Sequence, residues 1–284
     1  MKSNFIERKK IVLNDSQNKM IISGWNKEVL QNTIVENIIY NSDGLKVKGY
    51  LAYPKDTSKK YPCVIWNRGG YGENGALDIF NAKGVLGNIA NEGYVVFASH
   101  YRGNLGSEGI DELGGEDVND VLNLIPLADE LEFTDTTIWG MEGWSRGGMM
   151  TYLSLVKSKV NFKAVIIVGG VSNLHCNEKD SPYIKLVNEK IFPGLPVEKI
   201  AYECEKRSVT SFIYKLPKLT HYLLLHGTAD ESVAPLDTIN LAREFQNKNL
   251  HYRLVMFEEG DHFLRKHRNE LNTLRKMWLK KYLK

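Results

Sequence analysis

The sequence predicts an α/β fold: a mostly parallel central sheet with helices on both faces, led by an antiparallel hairpin. Three observations carry this expectation. From residue 61 onward, short apolar runs of the fully buried kind alternate with amphipathic stretches, the pattern of strands joined by crossover helices. Ahead of them, two apolar stretches flank Asn41-Ser42-Asp43-Gly44, a hairpin signal because Asp-Gly supplies the turn. Finally, the apolar run Ile138-Trp139-Gly140-Met141 passes through Gly143-Trp144-Ser145-Arg146-Gly147 into a helical pattern. A strand, a sharp turn carrying a serine and a helix in that order form a nucleophile elbow.

Taken in order, residues 1–33 read as an N-terminal extension, with a short strand at 11–13 and a short helix at 20–30. The main domain spans 34–284. Its hairpin strands fall at 34–40 and 45–53, and Pro54 with the polar residues 55–60 ends the second. Residues 61–66 form a buried strand running into the glycine-rich loop Arg68-Gly69-Gly70-Tyr71-Gly72. A helix with Leu77, Phe80, Val85, Leu86 and Ile89 on one face closes at Gly93, and the next strand covers 94–99. Residues 116–132 are helical by spacing, with a kink or early break expected at Pro126. After the elbow come a strand at 162–168, short helices forming a small rim or cap over 171–217, and a strand at 222–226. A helix then opens at Pro235, a last strand covers 252–257 and a last helix 267–282. Functional sites in such sheets lie at the carboxyl ends of the strands.

Composition narrows the function classes. With 43% apolar and 25% charged residues, the 284-residue chain can bury a substantial core and is not disordered. A net charge of +3 is too mild to argue for nucleic acid, and no nucleic-acid-binding motif occurs. The basic residues Arg265, Lys266, Arg268, Arg275, Lys276, Lys280, Lys281 and Lys284 read as the solvated face of the last helix. No apolar run is long enough to cross a bilayer. Cys63, Cys176 and Cys204 have no metal-ligand spacing, and an odd count with no disulfide pattern suits a reducing compartment. The polar, charged start of the chain is unlike a secretory signal, so the expected setting is cytoplasmic. Neither glycine-rich loop matches a phosphate-binding pattern. The chain is therefore expected to need no cofactor and no metal, and to engage neither nucleic acid nor membrane.

A serine hydroxyl near neutral pH needs a base within hydrogen-bond reach, and the base needs an orienting partner. Of seven histidines, His262 sits just after the last strand, where a loop can carry an imidazole over Ser145; His267, on the last helix, is the fallback, and His226 reads as structural. The plainer reading of His262 is a loop histidine bonded to a backbone carbonyl. The acid should fall between serine and histidine in chain order, after the preceding strand. Asp230 fits, with Glu231 as runner-up; alternatively Asp230 caps the helix at Pro235. An oxyanion would be met by the backbone N–H of Arg146, by an amide of the 69–71 loop and, as a third donor, by the Tyr71 hydroxyl.

These motifs resemble the catalytic domain of the prolyl oligopeptidase family, within the α/β-hydrolase fold, over roughly residues 34–284. Gly143-Trp144-Ser145-Arg146-Gly147-Gly148 is similar to that family's Gly-Trp-Ser-Tyr-Gly-Gly. Arg68-Gly69-Gly70-Tyr71 stands where it has His-Gly-Gly-Pro, which implies Gly70 as the second oxyanion donor. Tyr101-Arg102-Gly103, Asp117-Val118-Asn119-Asp120-Val121, His226-Gly227 with Asp230 and Val233, Gly260 with His262, and the segment from Gly194-Leu195-Pro196 to Arg207-Ser208 match other family segments. The resemblance implies a Ser145–Asp230–His262 triad, and at 284 residues the chain is expected to depart from the family's larger members in having no room for their β-propeller. Arg146 in place of tyrosine and Arg68 in place of histidine are expected to put cations near the site mouth.

The expected function is a serine hydrolase cleaving small esters or short peptides through an acyl-enzyme, with homo-oligomerisation compatible. Its rivals are a strict carboxylesterase without peptidase activity and a non-catalytic binding protein of the same fold.

Overall fold

The computed structural model describes residues 3–174 and 184–284. Its core is a nine-stranded sheet in the order β1-β2-β3-β5-β4-β6-β7-β8-β9. The leading strands β1 (Phe5–Lys10), β2 (Thr33–Ser42) and β3 (Leu45–Pro54) are antiparallel, and β3 pairs antiparallel with β5 (Val95–Ser99). From β4 (Tyr61–Asn67) onward, β5, β6 (Thr134–Trp144), β7 (Phe162–Val168), β8 (His221–Gly227) and β9 (His251–Phe257) run parallel. This is an α/β-hydrolase sheet with its antiparallel hairpin in front. The hairpin closes at Asp43 and Gly44, both at positive φ, where Asp-Gly costs least.

Among the described residues, nine further helices complement α1 (Asp15–Gly24) and α2 (Lys27–Asn32): α3 (Ile79–Asn91), α4 (Val118–Leu122), α5 (Ile125–Ala128), α6 (Arg146–Lys157), α7 (Ile184–Leu186), α8 (Val197–Arg207), α9 (Val209–Phe212), α10 (Pro235–Asn247) and α11 (Arg268–Leu283). Alternate residues of the parallel strands feed two cores. Val64, Trp66, Ile166 and Leu223 pack with Leu86 and Ile89 of α3 and Leu279 of α11, while Cys63, Ile65 and Trp139 pack with Met150 and Tyr152 of α6 and Phe245 of α10. Each large side chain withdrawn from water there contributes about 1.5–3 kcal/mol.

Three departures have physical causes. The N-terminal strand is Phe5–Lys10, not residues 11–13: FIERKK lies on the sheet edge with most of its side chains in solvent, so it carries no apolar pattern to read. The single helix expected at 20–30 is two, because Asn26 accepts a hydrogen bond from Val29 N–H at 3.0 Å and starts a new helix. The expected helix over 116–132 breaks into α4 and α5 just ahead of Pro126, which sits in the first turn of α5. Cysteines also differ from expectation. Cys63 is free and buried, but Cys204 is disulfide-bonded, so the cysteines no longer argue for a reducing compartment. Cys176 and His175 lie outside the described residues. Among the described residues, no helix is long and apolar enough to cross a membrane.

Strand order turns back between β4 and β6: β5 lies on one side of β4 and β6 on the other. Loops leaving neighbouring strands part at such a point and open a crevice. Asn67 pairs with Gly143, Trp144 with Val168 and Gly227 with Phe257, so the loops after β4, β6, β8 and β9 leave the same rim.

Candidate active site

Ser145 stands between β6 and α6 at φ 54° and ψ −122°, a left-handed conformation that costs a non-glycine residue energy. Three backbone bonds hold it. Ser145 N–H donates to Val168 O at 2.9 Å, and Ser145 O accepts from Gly148 N–H at 2.9 Å and Val171 N–H at 3.1 Å. The flanking glycines are compulsory: a Cβ on Gly143 would lie 2.2 Å from Gly147 O, and one on Gly147 2.1 Å from Asn67 O. The elbow expected from the sequence is formed.

Asp230 and His262 meet, with His262 Nδ1 2.7 Å from Asp230 Oδ2. The other carboxylate oxygen accepts from Ser232 N–H at 2.8 Å and Val233 N–H at 2.9 Å. Asp230 does not cap the helix at Pro235, whose N-cap is Ala234 with no side-chain cap bond; one carboxylate oxygen instead holds the 230–233 turn while the other engages the imidazole. His226, read from sequence as structural, is fully buried and brings Nε2 within 3.1 Å of Asp230 Oδ2. Its Nε2 also lies 3.0 Å from Val233 O and its Nδ1 2.6 Å from Thr238 Oγ1. Burial pushes the Asp230 carboxyl up, but hydrogen bonds from His226, His262 and Val233 N–H outweigh it and hold the acid well below its usual range. Glu231 is exposed, and His267 Nε2 bonds Glu258 O at 2.9 Å; neither takes the place of Asp230 or His262.

Ser145 and His262 line one cavity of about 510 Å³, with Gly69 and Gly70 on the same wall. No hydrogen bond joins Ser145 Oγ to His262. Arg146 N–H, at the first position of α6, and Gly70 N–H have no partner among the described residues. Tyr71 is not on the cavity wall; its ring packs under the Arg146 guanidinium, 5.9 Å away.

Arg68 and Arg146 correct the sequence expectation of cations at the mouth. Both are buried, at 1% and 4% exposure. Arg146 Nη1 and Nη2 pair with Asp111 at 2.8 and 2.6 Å, Nη2 reaches Asp117 at 2.5 Å, and Nη1 also donates to Gly70 O at 3.0 Å. Burial raises the Asp111 carboxyl, but Arg146 overrides this and holds it below its usual range. Arg68 donates to Gly69 O, Asn74 O, Gly72 O and His100 O at 2.7–3.2 Å. A trans peptide points the N–H of one residue opposite the carbonyl before it, and no peptide here is cis. By gripping Gly69 O, Arg68 sets where Gly70 N–H points. Sequence spacing hid this role, because the partners are backbone carbonyls.

Residues 83–284 match the prolyl oligopeptidase family. The chain belongs to that family, and is a serine hydrolase of the α/β-hydrolase fold. It is 29% identical over 204 residues to the uncharacterized peptidase YtmA of Bacillus subtilis (strain 168), covering 72% of this chain and 76% of that protein. Prolyl endopeptidase FAP of Mus musculus is 27% identical over 213 residues, 73% of this chain but only 27% of its own length. An acylaminoacyl peptidase of Pyrococcus horikoshii superposes with a TM-score of 0.77 at 21% identity, over 94% of this chain and 44% of that one. The chain thus spans between about a quarter and a half of these two larger relatives.

Proposed function

We propose that Ser145, His262 and Asp230 act as a catalytic triad that cleaves small esters or short peptides through an acyl-enzyme. We take residues 34–284 as the catalytic unit and 1–33 as an extension packed on it. The observation that carries the reading is the 2.7 Å contact between His262 Nδ1 and Asp230 Oδ2 beside a cavity that Ser145 also lines. With Nδ1 committed to Asp230, Nε2 is the nitrogen left to take the serine proton. Ser145 Oγ attacks the substrate carbonyl carbon as His262 accepts its proton. The oxyanion is received by the N–H groups of Gly70 and Arg146. His262 then hands the proton to the departing atom, the acyl group stays on Ser145, and water attacks with His262 again as base, regenerating the serine. Asp230 stays ionised and offsets the imidazolium charge. The Tyr71 hydroxyl is not needed in this scheme.

Peptide turnover is favoured over ester-only activity by the relatives, which are described as peptidases. The test is turnover of p-nitrophenyl acetate and of aminoacyl-p-nitroanilides by wild type and Ser145→Ala. Loss of both activities in the variant supports the reading. Equal rates in the two proteins reject it, and ester turnover without amide turnover selects the carboxylesterase.

A further inference from the structure

The cavity beside Ser145 does not end at the triad. It passes His262 and Phe263 and reaches α11, where Leu271, Asn272 and Arg275 line it. Trp66, Trp144, Leu77 and Leu271 make most of the wall apolar. Two arginines interrupt it: Arg268, which is exposed, and Arg275, which is buried. Arg275 is 4% exposed, yet it donates no hydrogen bond among the described residues, and its Nε and Nη2 are buried without partners. Two acids lie within its electrostatic reach, Glu142 and Glu92. Glu142 Oε2 is 4.0 Å from Arg275 Nε, too far to hydrogen-bond. Its Oε1 is engaged instead by Trp144 Nε1 at 2.9 Å. Glu142 therefore balances the guanidinium charge and leaves its donors unused. A buried guanidinium with open donors is costly unless something meets it. Trp66, on the same wall, also has a buried indole N–H without a partner.

This arrangement contrasts with Arg146, whose two Nη groups are taken by protein oxygens. Arg146 is also absent from the cavity wall, which His262 lines. His262 returns its proton to the departing atom, which points the departing half of the substrate towards this cavity. The volume suits an apolar group of about one or two residues.

We propose that the cavity receives the leaving-group half of the substrate and that Arg275 pairs with a carboxylate borne by that half. The substrates are then short peptides or esters whose apolar departing portion ends in a free carboxylate. The planar fork of Arg275 matches the two carboxylate oxygens, with Trp66 Nε1 and the Asn272 amide as further donors. The idea rests on Ser145 being the nucleophile, and its test separates the two claims.

N-blocked dipeptides ending in phenylalanine are compared as free acid and as C-terminal amide. Wild type should favour the acid about 10- to 100-fold in kcat/KM, and the ratio should fall towards one in Arg275→Gln/Glu142→Gln, a pair chosen so that Glu142 is not stranded, while Glu92 keeps Lys276 and Lys284 nearby. A preference that survives the double variant, or is absent from wild type, overturns the proposal. Binding is read separately by calorimetry on Ser145→Ala, which should take 3-phenylpropanoate and not 3-phenylpropanamide; equal binding of the two overturns it without any variant at Arg275. Labelling of Ser145 by a fluorophosphonate reports on the nucleophile alone. A labelled enzyme with no acid preference keeps the hydrolase and discards the carboxylate site. An unlabelled protein that still selects the carboxylate discards the leaving-group assignment and keeps the site.

Discussion

Two sides of Ser145 are built from similar residues to opposite ends. Behind it, Arg146 and Arg68 sit in a dense polar lattice with Asp111, Asp117 and the carbonyls of the 69–74 loop. In front of it, Arg275 faces an apolar cavity with its donors unspent. Burial alone does not distinguish these arginines, since Arg146 and Arg275 are each 4% exposed. What distinguishes them is whether protein oxygens take the donors. A buried arginine whose forks are filled is scaffold; one whose fork is open beside a cavity is a candidate for holding something else.

The sharpest break of this comparison removes what lies between the two sides. Ser145→Ala should lower kcat/KM by at least about 10,000-fold and abolish fluorophosphonate labelling while the thermal midpoint stays close to wild type. Next, Asp230→Asn should cost about 1,000- to 10,000-fold in kcat, measured on the same ester, because His262 loses the partner that fixes its tautomer. A rate within tenfold of wild type would remove Asp230 from the mechanism. Third, Arg146→Met should destabilise by about 3–5 kcal/mol in denaturant unfolding, since it strands Asp111 and Asp117, and should slow turnover by loosening Gly70. Unchanged stability would mean that the polar lattice is not what holds the loop. The smallest effect tests how well that side excludes water. Burial, reinforced by Arg68 and Lys48, pushes His100 down to about 3. The unfolded chain then binds a proton below about 6.5 that the folded chain refuses, so stability should fall as pH drops from about 6.5 towards 3. His100→Gln should flatten that slope by about 3 kcal/mol between pH 6.5 and 4, read from denaturation midpoints. Parallel slopes would place His100 in contact with solvent.

Much of this architecture was legible in the residues. The buried strands announce themselves as unbroken apolar runs, and the elbow needs glycines where any side chain would collide with a carbonyl. Positions at strand ends then select Asp230 and His262 from their alternatives. What stayed hidden involves partners that sequence does not mark. Arg146 is 35 and 29 residues from Asp111 and Asp117, and Arg68 binds carbonyls that every residue carries, so both looked like free charge. Phe5–Lys10 joins the sheet by backbone bonds with its polar side chains outward, and edge pairing leaves no periodic trace. His226 reads as structural because it ends a strand directly before a turn, and its contact with Asp230 arises only when that turn folds back.

One contact made by the N-terminal stretch reaches further than its position suggests. Trp25, at the end of α1, rests against Gly84 of α3, meets Phe80 edge-on at 5.8 Å, lies under Arg268 at 5.7 Å and forms part of the wall of the cavity that Ser145 lines. The segment outside the crossover units thus trims the space offered to a reacting molecule. Changes there can retune which molecules fit while the serine, imidazole and carboxylate stay untouched, which gives this scaffold a route to new preferences that leaves its chemistry alone.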